Sequence, residues 1–188
     1  IKSLNAGLPI IVISSIDVYS AYAKIHGTED VEYQSCPITE EMALRDKLGA
    51  EGTAYNKLEV EKIYLNTLPN VTILRLPAMY GWPDKRRVDS YLDPMLAGNK
   101  EIKIPRKRAK WQFSRCLHKN AAFAIFKTLE ASQNGHHIYN VAEETAYSDL
   151  EWCQKTARYA GWKGEIVISD EAEEVDLDQD FYVSTQKI

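Results

Sequence analysis

A short run of apolar residues near the start of the chain predicts a buried strand. Residues 9–13, Pro-Ile-Ile-Val-Ile, are continuous and β-branched, which is typical of a parallel strand covered on both faces by helices. The run is too short to span a membrane. Further apolar runs at 71–76, 137–141 and 165–168 predict three more strands.

Periodic apolar positions between these runs predict helices over 53–68, 89–97, 120–130 and 149–160. Thr53 and Asn120 are the expected N-caps of the first and third helices. Ser148 and Glu151 have the spacing of a capping box for the fourth. In the third helix the side expected to face inward carries Ala122, Phe126 and Leu129. Alternating strands and helices predict an α/β fold.

A long polar connection, residues 21–52, separates the first strand from the first of these helices. Loops of this length in compact domains are often functional lids or binding segments. A solvated surface excursion explains its acidic residues equally well.

Composition excludes several classes of protein. The chain has 188 residues, 45% of them hydrophobic and 27% charged, which is typical of a globular protein with one substantial core. The net charge of −4 gives no support to nucleic-acid or anionic-membrane binding. Three widely spaced cysteines argue against a disulfide framework and a zinc site, so no metal is expected. With no signal peptide recognisable, the cytoplasm is the expected location.

Hydroxyl and carboxyl groups follow the first strand at once. Ser14, Ser15 and Asp17 come at its carboxyl end, the edge at which open parallel sheets bind their ligands. The same residue types are also common in turns, because their side chains bond nearby backbone. On these residues alone, both interpretations stay open.

Two later motifs favour chemistry at this edge. Lys57-Leu58-x-x-Glu61 opens the first predicted helix, and Leu74-Arg75-x-x-x-x-Tyr80-Gly81 covers the end of the next strand. Together with Ser14-Ser15-x-x-Val18-Tyr19, their order and spacing resemble the extended short-chain dehydrogenase/reductases. This is the family of NAD(P)-dependent sugar-nucleotide epimerases and dehydratases, and the resemblance covers most of the chain.

The resemblance implies roles for individual residues. Ser15 corresponds to the hydroxyl that bonds the reacting substrate oxygen, Lys57 to the lysine that holds the nicotinamide ribose, and Asp17 to an acid–base residue of the dehydratases. Thr53 occupies the position of the family's catalytic tyrosine, four residues before Lys57. We therefore predict that Tyr55 is a displaced proton donor, provided that the helix begins at or just after it. The implied cofactor contacts are Ser14, Lys57, Pro77, Ala78 and Met79.

Residues 100–115 are basic and aromatic, and three interpretations stay open for them. A solvated surface is one, a clamp for the phosphates of a nucleotide-linked substrate is the second, and single-stranded nucleic acid is the third. Under the phosphate interpretation, the predicted substrate-binding residues are Tyr80, Arg106, Arg108 and Arg115.

The resemblance also implies how the chain is organised. Residues 1–83 would be the C-terminal half of a Rossmann-type, doubly wound dinucleotide-binding domain. Residues 84–188 would be a small α/β substrate-binding lobe, from which 136–142 returns a strand to the first sheet. No G-x-G-x-x-G loop occurs in the sequence, so tight binding of NAD or NADP to this chain is not expected. The helix at 53–68 is implied to form a homodimer.

Three functions are compatible with these features. The chain could belong to an atypical NAD(P)-dependent oxidoreductase or epimerase, which the retained Ser15 and Lys57 favour. It could be a non-catalytic dinucleotide-binding module, or a remnant that only supports assembly.

Overall fold

The computed structural model describes residues 8–46, 56–81, 89–131 and 134–187. In chain order its strands are Ile10–Ser15 (β1), Val71–Leu76 (β2), Ala78–Tyr80 (β3), Glu101–Pro105 (β4), Arg115–Leu117 (β5), His136–Asn140 (β6) and Glu165–Ser169 (β7). Its helices are Ser20–His26 (α1), Lys57–Thr67 (α2), Asp89–Leu96 (α3), Arg106–Lys110 (α4), His118–Ala131 (α5) and Asp149–Ala160 (α6).

The main sheet contains β1, β2 and β6, with β2 in the middle and all pairs parallel. Ile10 pairs with Val71, which in turn pairs with His136, so the three strands end at a common carboxyl edge. The predicted α/β class with a parallel sheet is confirmed.

Helices cover both faces of this sheet. α2 packs on the face that carries Val12 and Ile73, and α5 packs on the face that carries Leu74 and Leu76. Ile73 and Leu74 are both fully buried, and each contributes about 1.5–3 kcal/mol of hydrophobic stabilisation. Burial on both faces explains why β2 reads as a continuous apolar run.

A second group of elements follows β2. β4 and β7 pair in parallel, and α3, α4 and α6 pack with them around a core that includes Ile104, Trp152 and Cys153. β3, which follows β2, and β5, which precedes α5, form a further short parallel pair. This arrangement places a cavity, described below, beside the end of β2.

Several local expectations were wrong. α1 covers the start of the segment expected to be a polar connection, and it buries Ala21, Ala23 and Ile25. α2 begins at Lys57 and is capped by Asn56, whose side chain accepts a hydrogen bond from the backbone of Glu59, so Thr53 is not its N-cap.

The inward side of α5 was also wrongly predicted. α5 begins at His118, so Asn120 lies inside it, and Phe126 and Leu129 are 54% and 48% exposed. The side that faces the sheet carries Ala121 together with Ala124 and Ile125. Small side chains let the helix approach the strands closely, and apolar residues on several sides of α5 hid this preference.

The capping box of Ser148 and Glu151 is present as predicted, and α6 ends at Gly161 in the left-handed conformation (φ 65°). Within the described residues, no helix has the length and apolar character needed to cross a membrane.

Candidate cofactor and substrate site

Ser15 and Asp17 lie together at the carboxyl end of β1. The strand ends at Ser15, and a single 3-10 turn, Ile16–Val18, follows it. The Ser15 hydroxyl accepts a hydrogen bond from the backbone N–H of Asp17 at 3.2 Å. It therefore caps the turn, and a hydroxyl that accepts one bond still carries a hydrogen that it can donate.

Lys57 reaches the same strand from α2. Its ammonium donates to the backbone carbonyl of Ile13 at 3.2 Å, two residues before Ser15. Because Lys57 is the first residue of α2, the condition set for the Tyr55 prediction is met. Tyr55 and Thr53 themselves lie outside the described residues.

A buried polar network lies behind this edge, and the sequence did not predict it. Arg75, 1% exposed, donates to both carboxylate oxygens of Glu61, at 3.1 and 2.8 Å. It also donates to the hydroxyl of Tyr19 at 3.0 Å, and Tyr19 donates to Asn140 at 2.7 Å. Glu61 accepts from Ser14 at 2.5 Å. The network ties β1, α2, β2 and β6 together.

Two hydroxyl groups near this edge form hydrogen bonds within the network and therefore have a structural role. The hydroxyl of Ser14 is buried and donates to Glu61. Ser14 could therefore contact a cofactor only through its backbone atoms. Burial raises the pKa of Tyr19, an effect that the nearby Arg75 opposes. Tyr19 therefore stays protonated and holds Arg75 rather than exchanging protons. In the sequence, the signal of this network was its residues that belong to the quoted motifs: Ser14, Tyr19, Glu61 and Arg75.

The residues that follow β2 lead towards a cavity. Pro77 is buried, Ala78 is half-buried and begins β3, and Met79 is 36% exposed. Ala78 and Tyr80 both line a cavity of about 570 Å³. This volume is within the range of small-molecule sites.

The cavity is walled by rings and paired charges. Its aromatic residues are Tyr80, Tyr91, Trp111, Phe113 and Trp152. Trp111 and Phe113 are stacked, with ring centroids 4.9 Å apart, and Tyr80 meets Trp152 edge-on at the same distance. Lys103, Arg108, Arg115 and Asp149 supply its charged side chains.

Only two of the three arginines predicted to bind substrate line this cavity. Arg108 and Arg115 do, whereas Arg106 forms an exposed salt bridge with Asp170 at 2.8 Å. Arg115 donates to Asp149 at 2.7 Å. Burial lowers the pKa of Arg115, and the carboxylate of Asp149 opposes that shift.

Two tyrosines of the cavity are held protonated. The hydroxyl of Tyr80 donates to Glu143 at 2.5 Å, and that of Tyr91 donates to Asp149 at 2.7 Å. Burial and the bonded carboxylates raise both pKa values well above the ordinary range for tyrosine. Neither phenol is a base near neutral pH.

The fold and the sheet edge define a Rossmann-type α/β architecture, and solved structures share it. A dTDP-4-dehydrorhamnose reductase ortholog from Clostridium acetobutylicum matches 95% of this chain with a TM-score of 0.71 and 16% identity. A UDP-N-acetylglucosamine 4-epimerase from Bacillus cereus matches 95% of the chain with a TM-score of 0.65 and 16% identity. MoeE5, in complex with UDP-glucose and NAD, matches 95% with a TM-score of 0.68 and 18% identity.

These comparisons confirm the predicted resemblance at the level of the fold: the similar structures are NAD(P)-dependent reductases, epimerases and dehydratases. The chain spans 57%, 56% and 56% of the three structures just named. No protein-family model matches the chain, and no curated protein matches it significantly.

Proposed function

We propose that this chain supplies the nicotinamide and substrate sides of an NAD(P)-dependent oxidoreductase or epimerase that acts on a hydroxyl or carbonyl group. The observation that carries the proposal is the position of Ala78. It follows β2 at the edge where Ser15 and Lys57 lie, and it also lines the cavity. A nicotinamide bound along that edge would face a substrate held in the cavity.

The groups at the edge fit the nicotinamide–ribose end of the cofactor. Lys57 brings an ammonium to bond ribose hydroxyls, and Ala78 leaves room for a flat ring. The bound nicotinamide would supply the hydride chemistry. The sequence has no glycine-rich loop for the diphosphate, so the proposed affinity of this chain is weak. Comparing the affinities for NADH and NADPH in the binding experiment described below shows which of the two cofactors is preferred.

The chain's own groups have separate tasks in this proposal. Ser15 donates its free hydroxyl hydrogen to the reacting substrate oxygen, while the bond from the backbone of Asp17 fixes the rotamer. Tyr55 exchanges the proton with that oxygen, and the positive charge of Lys57 favours its phenolate. Asp17 is the second proposed acid–base group.

Binding of NADH or NADPH, followed by the fluorescence of the reduced nicotinamide, tests the proposal. Lys57→Ala should weaken binding by about tenfold or more, the equivalent of one charge-assisted hydrogen bond. Lys62→Ala, an exposed change on the same helix, is the matched control and should leave binding unchanged. Equal binding by all three proteins, or no binding by the unaltered chain, would reject the proposal.

We also propose, from the resemblance, that α2 mediates a homodimer. Ile63, 41% exposed, is a large apolar residue on the outer side of α2 and supports this proposal. Sedimentation velocity over a range of concentrations tests it, with Ile63→Lys expected to shift the equilibrium towards monomer.

A further inference from the structure

Both arginines of the cavity, Arg108 and Arg115, form ion pairs with carboxylates. Arg108 forms a two-pronged pair with Glu173, with N–O distances of 2.7 and 2.8 Å. At their side chains, Glu173 is 11% and Arg108 35% exposed, so the pair is partly shielded from water. The hydrogen bonds from Arg108 also lower the pKa of Glu173. Arg108 therefore brings almost no net charge to the cavity.

Arg115 is committed even more fully. It donates to Asp149 at 2.7 Å and to the backbone carbonyls of Phe113 and Tyr147 at 3.2 and 3.1 Å. Its guanidinium also lies 4.7 Å from the ring centre of Trp152. The bond to Asp149 neutralises the charge of Arg115. A phosphate that displaced Asp149 would leave its carboxylate with the hydroxyl of Tyr91 and the more distant Arg108, 3.9 Å away, which is costly.

What the cavity does offer is aromatic surface. Five rings line it, and the hydroxyls of Tyr80 and Tyr91 are bonded to carboxylates. Lys103, 59% exposed at its side chain, is a third cation at the cavity, 3.8 Å from Glu101. Ring faces of this kind bind flat or ring-shaped groups, and they do so without attracting negative charge.

We propose that the cavity accepts a neutral, ring-bearing hydroxyl or carbonyl compound, and that Glu173 and Asp149 prevent recognition of a diphosphate by pairing with Arg108 and Arg115. This deepens the proposed function, on which it rests, by naming the class of substrate. The proposed substrate class differs from the ligand of MoeE5, whose structure contains UDP-glucose. A carboxylate that neutralises an anion-binding arginine raises the cost of the wrong ligand, a common source of specificity.

Uridine and UDP are the probes, because they share a ring and differ only in the diphosphate. Trp111 and Trp152 line the cavity, so quenching of tryptophan fluorescence reports binding without any nicotinamide cofactor. We expect uridine to bind and UDP to bind no more than about twofold tighter. UDP binding about tenfold or more tighter than uridine, or no quenching by uridine, would overturn the proposal.

Variants identify the residues responsible. Glu173→Gln should free Arg108 and raise the affinity for UDP relative to uridine by about tenfold. The neighbouring, exposed Glu174→Gln is the matched control and should leave this ratio unchanged. The double variant Arg108→Gln/Glu173→Gln should lose the gain. An unchanged ratio in Glu173→Gln would overturn the role of Glu173.

If Glu173→Gln fails to fold, the single variant Arg108→Gln tests whether Arg108 binds the diphosphate of UDP. A phosphate clamp would lose about tenfold in UDP affinity, whereas we expect both affinities to stay within about twofold. These experiments do not involve the Lys57 edge. A failure of NADH binding would therefore count against the proposed function, and a preference for UDP would count against this inference alone.

Discussion

Glu61→Gln is the most informative single change in the buried network. Gln keeps the shape of the side chain but removes the negative charge. Arg75 then retains a buried positive charge with only neutral acceptors, which are the new amide oxygen, Tyr19 and the backbone carbonyl of Glu40. The side chains of Arg75 and Glu61 are 2% and 3% exposed. Solvent therefore cannot compensate for the loss.

The magnitude follows from the geometry. Arg75 loses its bond to one carboxylate oxygen and keeps the other only as a bond to a neutral amide oxygen. A hydrogen bond in which a charged group takes part contributes about 1.5–3 kcal/mol. Breaking a buried ion pair by removing one partner costs about 3–5 kcal/mol. Because one acceptor oxygen is retained, we expect Glu61→Gln to cost about 2–4 kcal/mol. Since domains are stable by about 5–15 kcal/mol, the variant should unfold at a much lower urea concentration.

Urea unfolding followed by tryptophan fluorescence measures this loss, and an unchanged dependence on denaturant would show that both states kept their compactness. Glu59→Gln is the control, because Glu59 is exposed on the same helix and should change stability by less than about 0.5 kcal/mol. The double variant Glu61→Gln/Arg75→Met removes the orphaned charge and should be more stable than Glu61→Gln alone. A cost below about 1 kcal/mol for Glu61→Gln, or a double variant no more stable than the single one, would refute the reasoning.

Three further predictions concern other parts of the molecule. Burial raises the pKa values of Cys116 and Cys153 to about 11, so at pH about 8 only about one thiol in a thousand is a thiolate. Iodoacetamide, with the products counted by mass spectrometry, should modify the half-buried Cys36 first, and rapid labelling of all three would contradict the buried positions. Tyr55→Phe should slow the chemical step with little change in cofactor affinity, whereas Lys57→Ala should harm both; unchanged turnover in Tyr55→Phe would favour a non-catalytic module. Ile63→Lys should shift a homodimer towards monomer in sedimentation velocity, and an unchanged distribution would place any dimer contact elsewhere.

The elements that local sequence encodes were predicted well. β2 has the predicted bounds, because an unbroken apolar run can be satisfied only by burial on both faces. The capping box of Ser148 and Glu151 is equally local, since its two hydrogen bonds join residues three apart. The order of the polar motifs along the chain was enough to indicate the fold of the sugar-nucleotide epimerases and reductases.

The tertiary structure alone decided which charges remain available for binding. In sequence, residues 100–115 form a basic run, yet Arg108 is paired with Glu173 and Arg115 with Asp149, partners 65 and 34 residues away. It also decided which side of α5 faces the sheet, where close approach favours Ala121 over Phe126. Capping and strand burial depend on neighbours within a few residues, whereas charge pairing and close packing depend on which distant segments the fold brings together.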